Sequence, residues 1–237
     1  MSKTVALAFE PDLEVKQTLV PTIAAPITSH DVNPNSEFLT RLIDVVVAAA
    51  MLIFFAPLMA IIALIVRSGG IGPILFRQKR VGKDGELFVC YKFRTMRVDA
   101  EEVLAGLLQN SAALREEWAR DHKLRNDPRL SRYGAFLRRS SLDELPQLFN
   151  VLKGEMSIVG PRPITPSETV RYGRYIRAYC SVRPGLTGLW QVSGRSQTTY
   201  RRRIACDIAY ARGRTPLYNL QIMFRTIPAV LLTHGAH

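Results

Sequence analysis

Residues 45–66 read VVVAAAMLIFFAPLMAIIALIV, 22 positions without a charge, a hydroxyl or an amide. As an unbroken helix rising 1.5 Å per residue this stretch would be about 33 Å long, enough to match a hydrocarbon core of roughly 30 Å. Buried helices of water-soluble domains seldom run so far without a polar face, so the segment reads as a membrane element. The tail before it lacks a basic start followed by an apolar run, which argues against a cleavable signal peptide. Pro57, near the middle, removes one helix hydrogen bond and pushes Ala56 away from helical dihedrals. Two arrangements fit these facts: a bent helix that spans the bilayer, and a kinked one that returns to the face it entered from.

Working outward, charge orients the segment. The 237-residue chain carries 32 Lys and Arg against 20 Asp and Glu, a net charge of +12. Residues 1–37 hold Lys3 and Lys16 against Glu10, Asp12, Glu14, Asp31 and Glu37, so the tail is at −3 and the remainder at +15. Arg67, Arg77, Lys79, Arg80 and Lys83 follow the apolar run closely, which places the C-terminal body in the cytoplasm by the positive-inside rule. A basic balance this strong calls for an anionic partner: nucleic acid, an anionic membrane surface or a phosphorylated substrate. The arginines are spread along the chain and form no helix-turn-helix or aromatic-basic RNA motif, so no nucleic acid partner is expected. Cys90, Cys180 and Cys206 are far apart and form no CxxC, which supports neither a disulfide framework nor a cysteine zinc site.

The other elements are short. Residues 1–37, with Pro11, Pro21, Pro26 and Pro34, read as a disordered acidic tail. Ile74–Val81 and Glu86–Arg94 flank Gly82-Lys83-Asp84-Gly85, two β-leaning runs around a turn, and predict a hairpin. From Asp99 to Lys123 an apolar stripe at helical spacing, interrupted only by Ser111, predicts one amphipathic helix that packs on the body or lies in the membrane interface. Further helices are expected around 143–153, from Tyr200 to Ala211 and along the apolar run Leu217–Leu232. Arg183-Pro184-Gly185 has the chemistry of a type II turn.

The chemistry concentrates in Leu137–Pro163, LRRSSLDELPQLFNVLKGEMSIVGPRP. Asp143 and Glu144 are adjacent carboxylates at an expected helix start. One reading is capping: Ser141 and Glu144 match the S-x-x-E box, and Asp143 is itself a good cap. Pro146 favours a helix beginning at Asp143, because proline is tolerated in a first turn. The other reading is catalysis, in which a helix N-terminus holds a phosphate against a carboxylate that would otherwise repel it. Arg138, Arg139 and Arg162 add guanidinium forks suited to phosphate oxygens, Arg162 on a loop stiffened by Pro161 and Pro163. Arg183 is a weaker candidate. The chain has neither GxxxxGK[ST] nor GxGxxG. It also has no Asp-x-Asp pair, and its four histidines are scattered. Any catalysis therefore falls to carboxylates and arginines.

In its order of motifs the chain resembles the bacterial sugar transferases, the monotopic phosphoglycosyl transferases. The likeness covers residues 38–232: the proline-bearing apolar segment, FRQKRVGKDGELFVCYKFRTM (76–96), DPRLSRYGAFLRRSSLDELPQLFNVLKGEMSIVGPRP (127–163) and VRPGLTGLWQVSGR (182–195). Within that family it is most similar to enzymes that start exopolysaccharide synthesis in rhizobia and their relatives. The resemblance implies an α+β fold: a proline-broken re-entrant helix over 38–68 and a catalytic domain over 69–237 with interfacial helices, on the cytoplasmic face of the bacterial inner membrane. It implies transfer of hexose 1-phosphate from a UDP-hexose, glucose or galactose favoured, to undecaprenyl phosphate with release of UMP. Asp143 is then the nucleophile and a ligand of Mg2+, Glu144 its dyad partner, and Arg138 and Arg162 the phosphate contacts. Lys92, Arg94, Asp127 and Arg129 fall on motif positions without an assigned task, and Pro57 makes the kink. Ala56 stands where some members have a serine, and Arg212-Gly213-Arg214-Thr215 where many have a Trp-Ser pair. The resemblance further implies a minimal form without the multi-span N-terminal region of larger members, and it is compatible with a homodimer.

Overall fold

A computed structural model describes residues 34–121, 124, 127–193 and 199–231; the acidic tail lies outside these up to residue 33. The apolar run becomes helix α1, Pro34–Ser68, which starts four residues before the expected boundary at 38 and continues across Pro57. Proline removes one N–H from the helix ladder but its φ suits the helix. The expected break is thus, in hydrogen-bond terms, a single missing bond within one continuous element.

One stripe of α1 faces the rest of the protein. Asp44, Ala48, Ile62 and Val66 are buried, and Met51, Leu52, Phe55, Leu58 and Met59 between them pack against the same core. The opposite side is bare and apolar: Ile53 is 78% exposed, Phe54 77% and Leu64 71%. Side chains of this size left open along several turns fit lipid and not water, and the helix is apolar enough for a membrane.

The hairpin forms as expected. Strands β1 (Leu75–Val81) and β2 (Leu87–Phe93) pair antiparallel from Leu75 with Phe93 to Val81 with Leu87. The turn holds Asp84 at φ 58° and Gly85 at φ 82°, left-handed values that Asp and Gly tolerate. The long amphipathic helix is instead two, α2 (Ala100–Asn110) and α3 (Ala112–Asp121). Ser111 between them is extended, and its hydroxyl accepts from the Leu114 N–H at 3.3 Å. A serine that can satisfy the free N–H groups of a new helix competes with continuation of the old one.

Helix α4 (Arg132–Arg139) opens on a Ser131 cap that accepts from Gly134 N–H. After it come a 3-10 turn at Leu142–Glu144, helix α5 (Gln147–Lys153) and strand β3 (Ser157–Val159). Short helices α6 (Thr169–Tyr172) and α7 (Ile176–Cys180) lead to strand β4 (Gly185–Thr187), which pairs parallel with β3. Gly185 lies in that strand without positive φ, so the expected type II turn does not form. A Cβ on Gly185 would collide with the Gly160 backbone; the glycine serves close strand approach. Helices α8 (Leu189–Val192), α9 (Tyr200–Gly213) and α10 (Pro216–Leu231) complete the described residues.

One core joins these parts. Ala48, Ile62 and Val66 of α1 share it with Phe88 and Phe93 of β2, Leu148 and Val151 of α5, Ile158 of β3, Tyr210 of α9 and Ile222 of α10. The membrane helix is thus built into the body rather than tethered to it.

Candidate active site

The dyad sits between α4 and α5, and neither carboxylate caps a helix. Ser141 is left-handed, φ 57°, and makes no capping bond, while α5 begins only at Gln147, behind Pro146. The expected helix start at Asp143, with its dipole on the phosphate site, is therefore corrected. Pro146 lacks an N–H and ends the 3-10 turn, so the carboxylates fall before the helix and are free of backbone duty.

Glu144 Oε1 accepts from Lys92 Nζ of β2 at 2.5 Å, with both side chains about four-fifths buried. Burial alone would raise this carboxyl, but Lys92, Arg162 and Arg80 hold it well below the ordinary range. Asp143 is 7% exposed and makes no hydrogen bond or ion pair among the described residues. Burial pushes its carboxyl above the usual range; Glu144 adds to the rise, and Lys92, Arg138 and Arg162 restrain it. Two adjacent carboxylates thus differ in kind, one neutralised by an ion pair and one desolvated with its oxygens uncommitted.

A cleft adjoins Glu144, lined also by Arg80, Lys92, Gln147, Arg162 and Gln191 among others; Asp143 and Arg138 are not among its lining residues. Of the sequence candidates, the fold brings Asp143, Glu144, Lys92, Arg138 and Arg162 together. Arg138 is held by a 3.0 Å bond from Nε to Thr95 Oγ1. Arg162 lies 6.0 Å from the Trp190 ring centre, which Arg203 also approaches at 5.5 Å.

Of the remaining candidates, Asp127 and Arg129 stand near Arg138, and the others lie elsewhere. Arg94 is buried and donates to the Val66 and Gly70 carbonyls at 3.0 and 3.1 Å, bracing the end of α1. Asp127 and Arg129 form a two-pronged pair at 2.8 and 2.6 Å, with the Arg129 guanidinium 5.0 Å from the Trp118 ring. Arg183 donates to Gly154 O at 2.9 Å and lines a different cleft. Pro57 is exposed in the middle of α1.

Arg80, Gln147, Gln191 and Trp190 were not candidates in the sequence. Arg80 donates to Pro163 O at 2.9 Å, which ties the hairpin to the arginine loop. Nothing in Gln78-Lys79-Arg80 distinguishes it from an ordinary basic strand; only the pairing of β1 with β2, which places Arg80 across from Phe88 and near Cys90, brings it to the cleft beside Glu144.

The sequence profile of the bacterial sugar transferases matches residues 35–233. The chain belongs to that family. It is 47% identical over 203 residues to the undecaprenyl-phosphate galactose phosphotransferase of Salmonella typhimurium, an alignment covering 86% of this chain and 42% of that protein. It is 42% identical over 212 residues to the exopolysaccharide production protein ExoY of Rhizobium meliloti, covering 90% and 94%. To the UDP-glucose:undecaprenyl-phosphate glucose-1-phosphate transferase of Caulobacter vibrioides it is 40% identical over 207 residues, covering 83% and 71%. The chain spans about two-fifths of the length of several curated relatives that it matches. Like this chain, the sugar transferase family is linked to membranes.

A divalent cation would find one uncommitted carboxylate here. No group of three or more His, Cys, Asp or Glu gathers among the described residues, and Glu144 is spent on Lys92. Magnesium is commonly held by one or two carboxylates together with substrate phosphate oxygens and water, and Asp143 is the residue here that would hold it.

Proposed function

We propose that the chain transfers hexose 1-phosphate from a UDP-hexose to undecaprenyl phosphate, through a covalent intermediate on Asp143, as a first membrane step of exopolysaccharide synthesis. The observation that carries this reading is an uncommitted, desolvated Asp143 with the cations Lys92, Arg138 and Arg162 near it. An Asp143 oxygen forms a bond to the β-phosphorus of the nucleotide sugar while the bond from that phosphorus to the bridging oxygen breaks, and UMP departs with that oxygen. A phosphate oxygen of the lipid then attacks the same phosphorus and releases the Asp143 carboxylate. Splitting one displacement between two anions into two steps is the gain of covalent catalysis. Arg162 and Arg80 face the diphosphate and offset its charge, and Lys92 keeps Glu144 from repelling it. Magnesium, held by Asp143 with diphosphate oxygens, would neutralise charge that builds there.

The names of the relatives support glucose or galactose as the sugar. The membrane arrangement follows from α1. Arg41 near its start donates to the Val151 and Leu152 carbonyls at 2.7 and 2.9 Å, Asp44 accepts from Ile158 N–H at 2.9 Å, and Arg94 holds Val66 at the other end. Both ends are tied to one body, and a body with this many charged groups stays in water. These ties support a helix that enters and leaves by one face, which the charge rule makes the cytoplasmic face of the inner membrane.

Asp143→Asn tests the nucleophile. With membranes or undecaprenyl phosphate and a panel of UDP-hexoses, the unaltered chain releases UMP from one of them and the variant, though folded, loses at least ~10^3-fold in rate. Full activity in the variant would refute the assignment.

A further inference from the structure

A second cleft shares no lining residue with the first. Ser36, Glu37, Thr40 and Arg41 of α1 line one side, and Arg183 and Arg214 of the body line another. Each guanidinium carries five donors in a rigid fork, and each is fixed here by bonds that leave donors to spare. Arg41 gives one bond from each terminal nitrogen to the end of α5. Arg183 gives its Nε to Gly154 O, and Arg214 gives Nη1 to Ser181 O at 3.3 Å.

The acids of the cleft do not balance these cations. Asp44 is committed to the Ser157 hydroxyl and the Ile158 N–H. Glu37 pairs with Lys83 at 2.9 Å and reaches Arg183 only at 3.6 Å. Four cations thus meet two carboxylates, and the excess surrounds an open space.

Its depth is set by the same turns of helix. Phe38, Leu39 and Leu42 are 71%, 45% and 49% exposed, and the bare apolar face runs on through Val45 and Val46. Residues one position apart thus point to a basic cleft and to the lipid side. That places the cleft where the bilayer changes from headgroups to hydrocarbon, a level at which basic pockets beside membrane helices bind anionic headgroups.

We propose that this cleft binds the phosphate headgroup of an anionic bilayer phospholipid, held by Arg41, Arg183 and Arg214 while the acyl chains lie along the apolar face of α1. The site is separate from the catalytic cleft, and its test uses no sugar substrate.

The test is a titration of the full chain in neutral detergent with short-chain phosphatidylglycerol, short-chain phosphatidylcholine and inorganic phosphate, reading the unfolding midpoint. Phosphatidylglycerol should raise the midpoint in a saturable way and the other two should not. Arg214→Gln and Arg183→Gln should each weaken the apparent affinity for phosphatidylglycerol about tenfold, the effect of losing one charged hydrogen bond. Arg202→Gln, an exposed arginine outside the cleft, should leave it unchanged. Each variant is compared with itself with and without lipid, so a lower starting stability does not mask the result. An equal rise with phosphatidylcholine, an equal rise with inorganic phosphate, or undiminished affinity in both cleft variants would overturn the proposal.

Discussion

Asp143 and Asp207 show what burial does to a carboxylate with and without a partner. Asp207 is 1% exposed and accepts from the Tyr172 hydroxyl at 2.7 Å, with Arg203 Nε 4.0 Å away. Burial pushes its carboxyl from 3.8 up to about 6, against the opposing pull of Tyr172 and Arg203. The folded state therefore holds this proton more tightly than the unfolded chain. Stability from this group is greatest below pH 3.8 and is lost as pH rises toward about 6. In thermal unfolding across that window, Asp207→Asn should flatten the decline, and an unaltered slope in the variant would count against this reading. Asp143, also raised, adds to the decline in the same direction. Composition gave no means of separating these two acids from the others. The Asp143-Glu144 pair was visible as a pair, yet its capping reading falls only on seeing Ser141 left-handed and Glu144 turned to Lys92, a residue 52 positions away.

Elements were legible where the pattern was local. The hairpin around Asp84-Gly85 and the helix from Tyr200 formed as the sequence indicated, since turn chemistry and helical spacing act over a few residues. Ser111 misled because a small polar residue within an apolar stripe is compatible with both a continuous helix and a capped break. Pro184-Gly185 misled for another reason: the pair favours a turn locally, but packing against Gly160 recruits the glycine into a strand. Arg94 was legible only as a motif position; its work is to brace an element. It reaches from just beyond β2 to two carbonyls at the end of α1, and its Nε and Nη1 are buried without partners. Arg94→Ala should lower stability by about 2–3 kcal/mol by leaving those carbonyls unpaired. Both bonds come from one nitrogen, Nη2, so Arg94→Lys, whose ammonium carries three donors, should recover part of the loss. Thermal unfolding in detergent measures both; a neutral alanine variant would show that α1 does not depend on this brace.

At the scale of the whole molecule, the division of charge has a physical meaning. Among the basic groups of the body at +15, some gather near the dyad and others at the cleft where α1 begins, while the bare face of α1 supplies the apolar mass. Because α1 shares the core with α5, β2 and α10, membrane attachment and cleft geometry are parts of one packing problem. A helix tied at both ends to one body supports the proposed re-entrant topology. A cysteine introduced at Ser2 should be shielded from an impermeant thiol reagent in intact cells and label readily once the membrane is opened. Ready labelling in intact cells would show that α1 spans.

The central claim is the covalent step, and intact-protein mass spectrometry reads it most directly. Incubated with its UDP-hexose and magnesium but without undecaprenyl phosphate, the chain should gain the mass of one hexose phosphate on the peptide bearing Asp143, with one UMP released per chain. Undecaprenyl phosphate should then discharge it. Sugar transfer to the lipid at full rate with no adduct on Asp143 under any of these conditions would contradict the account.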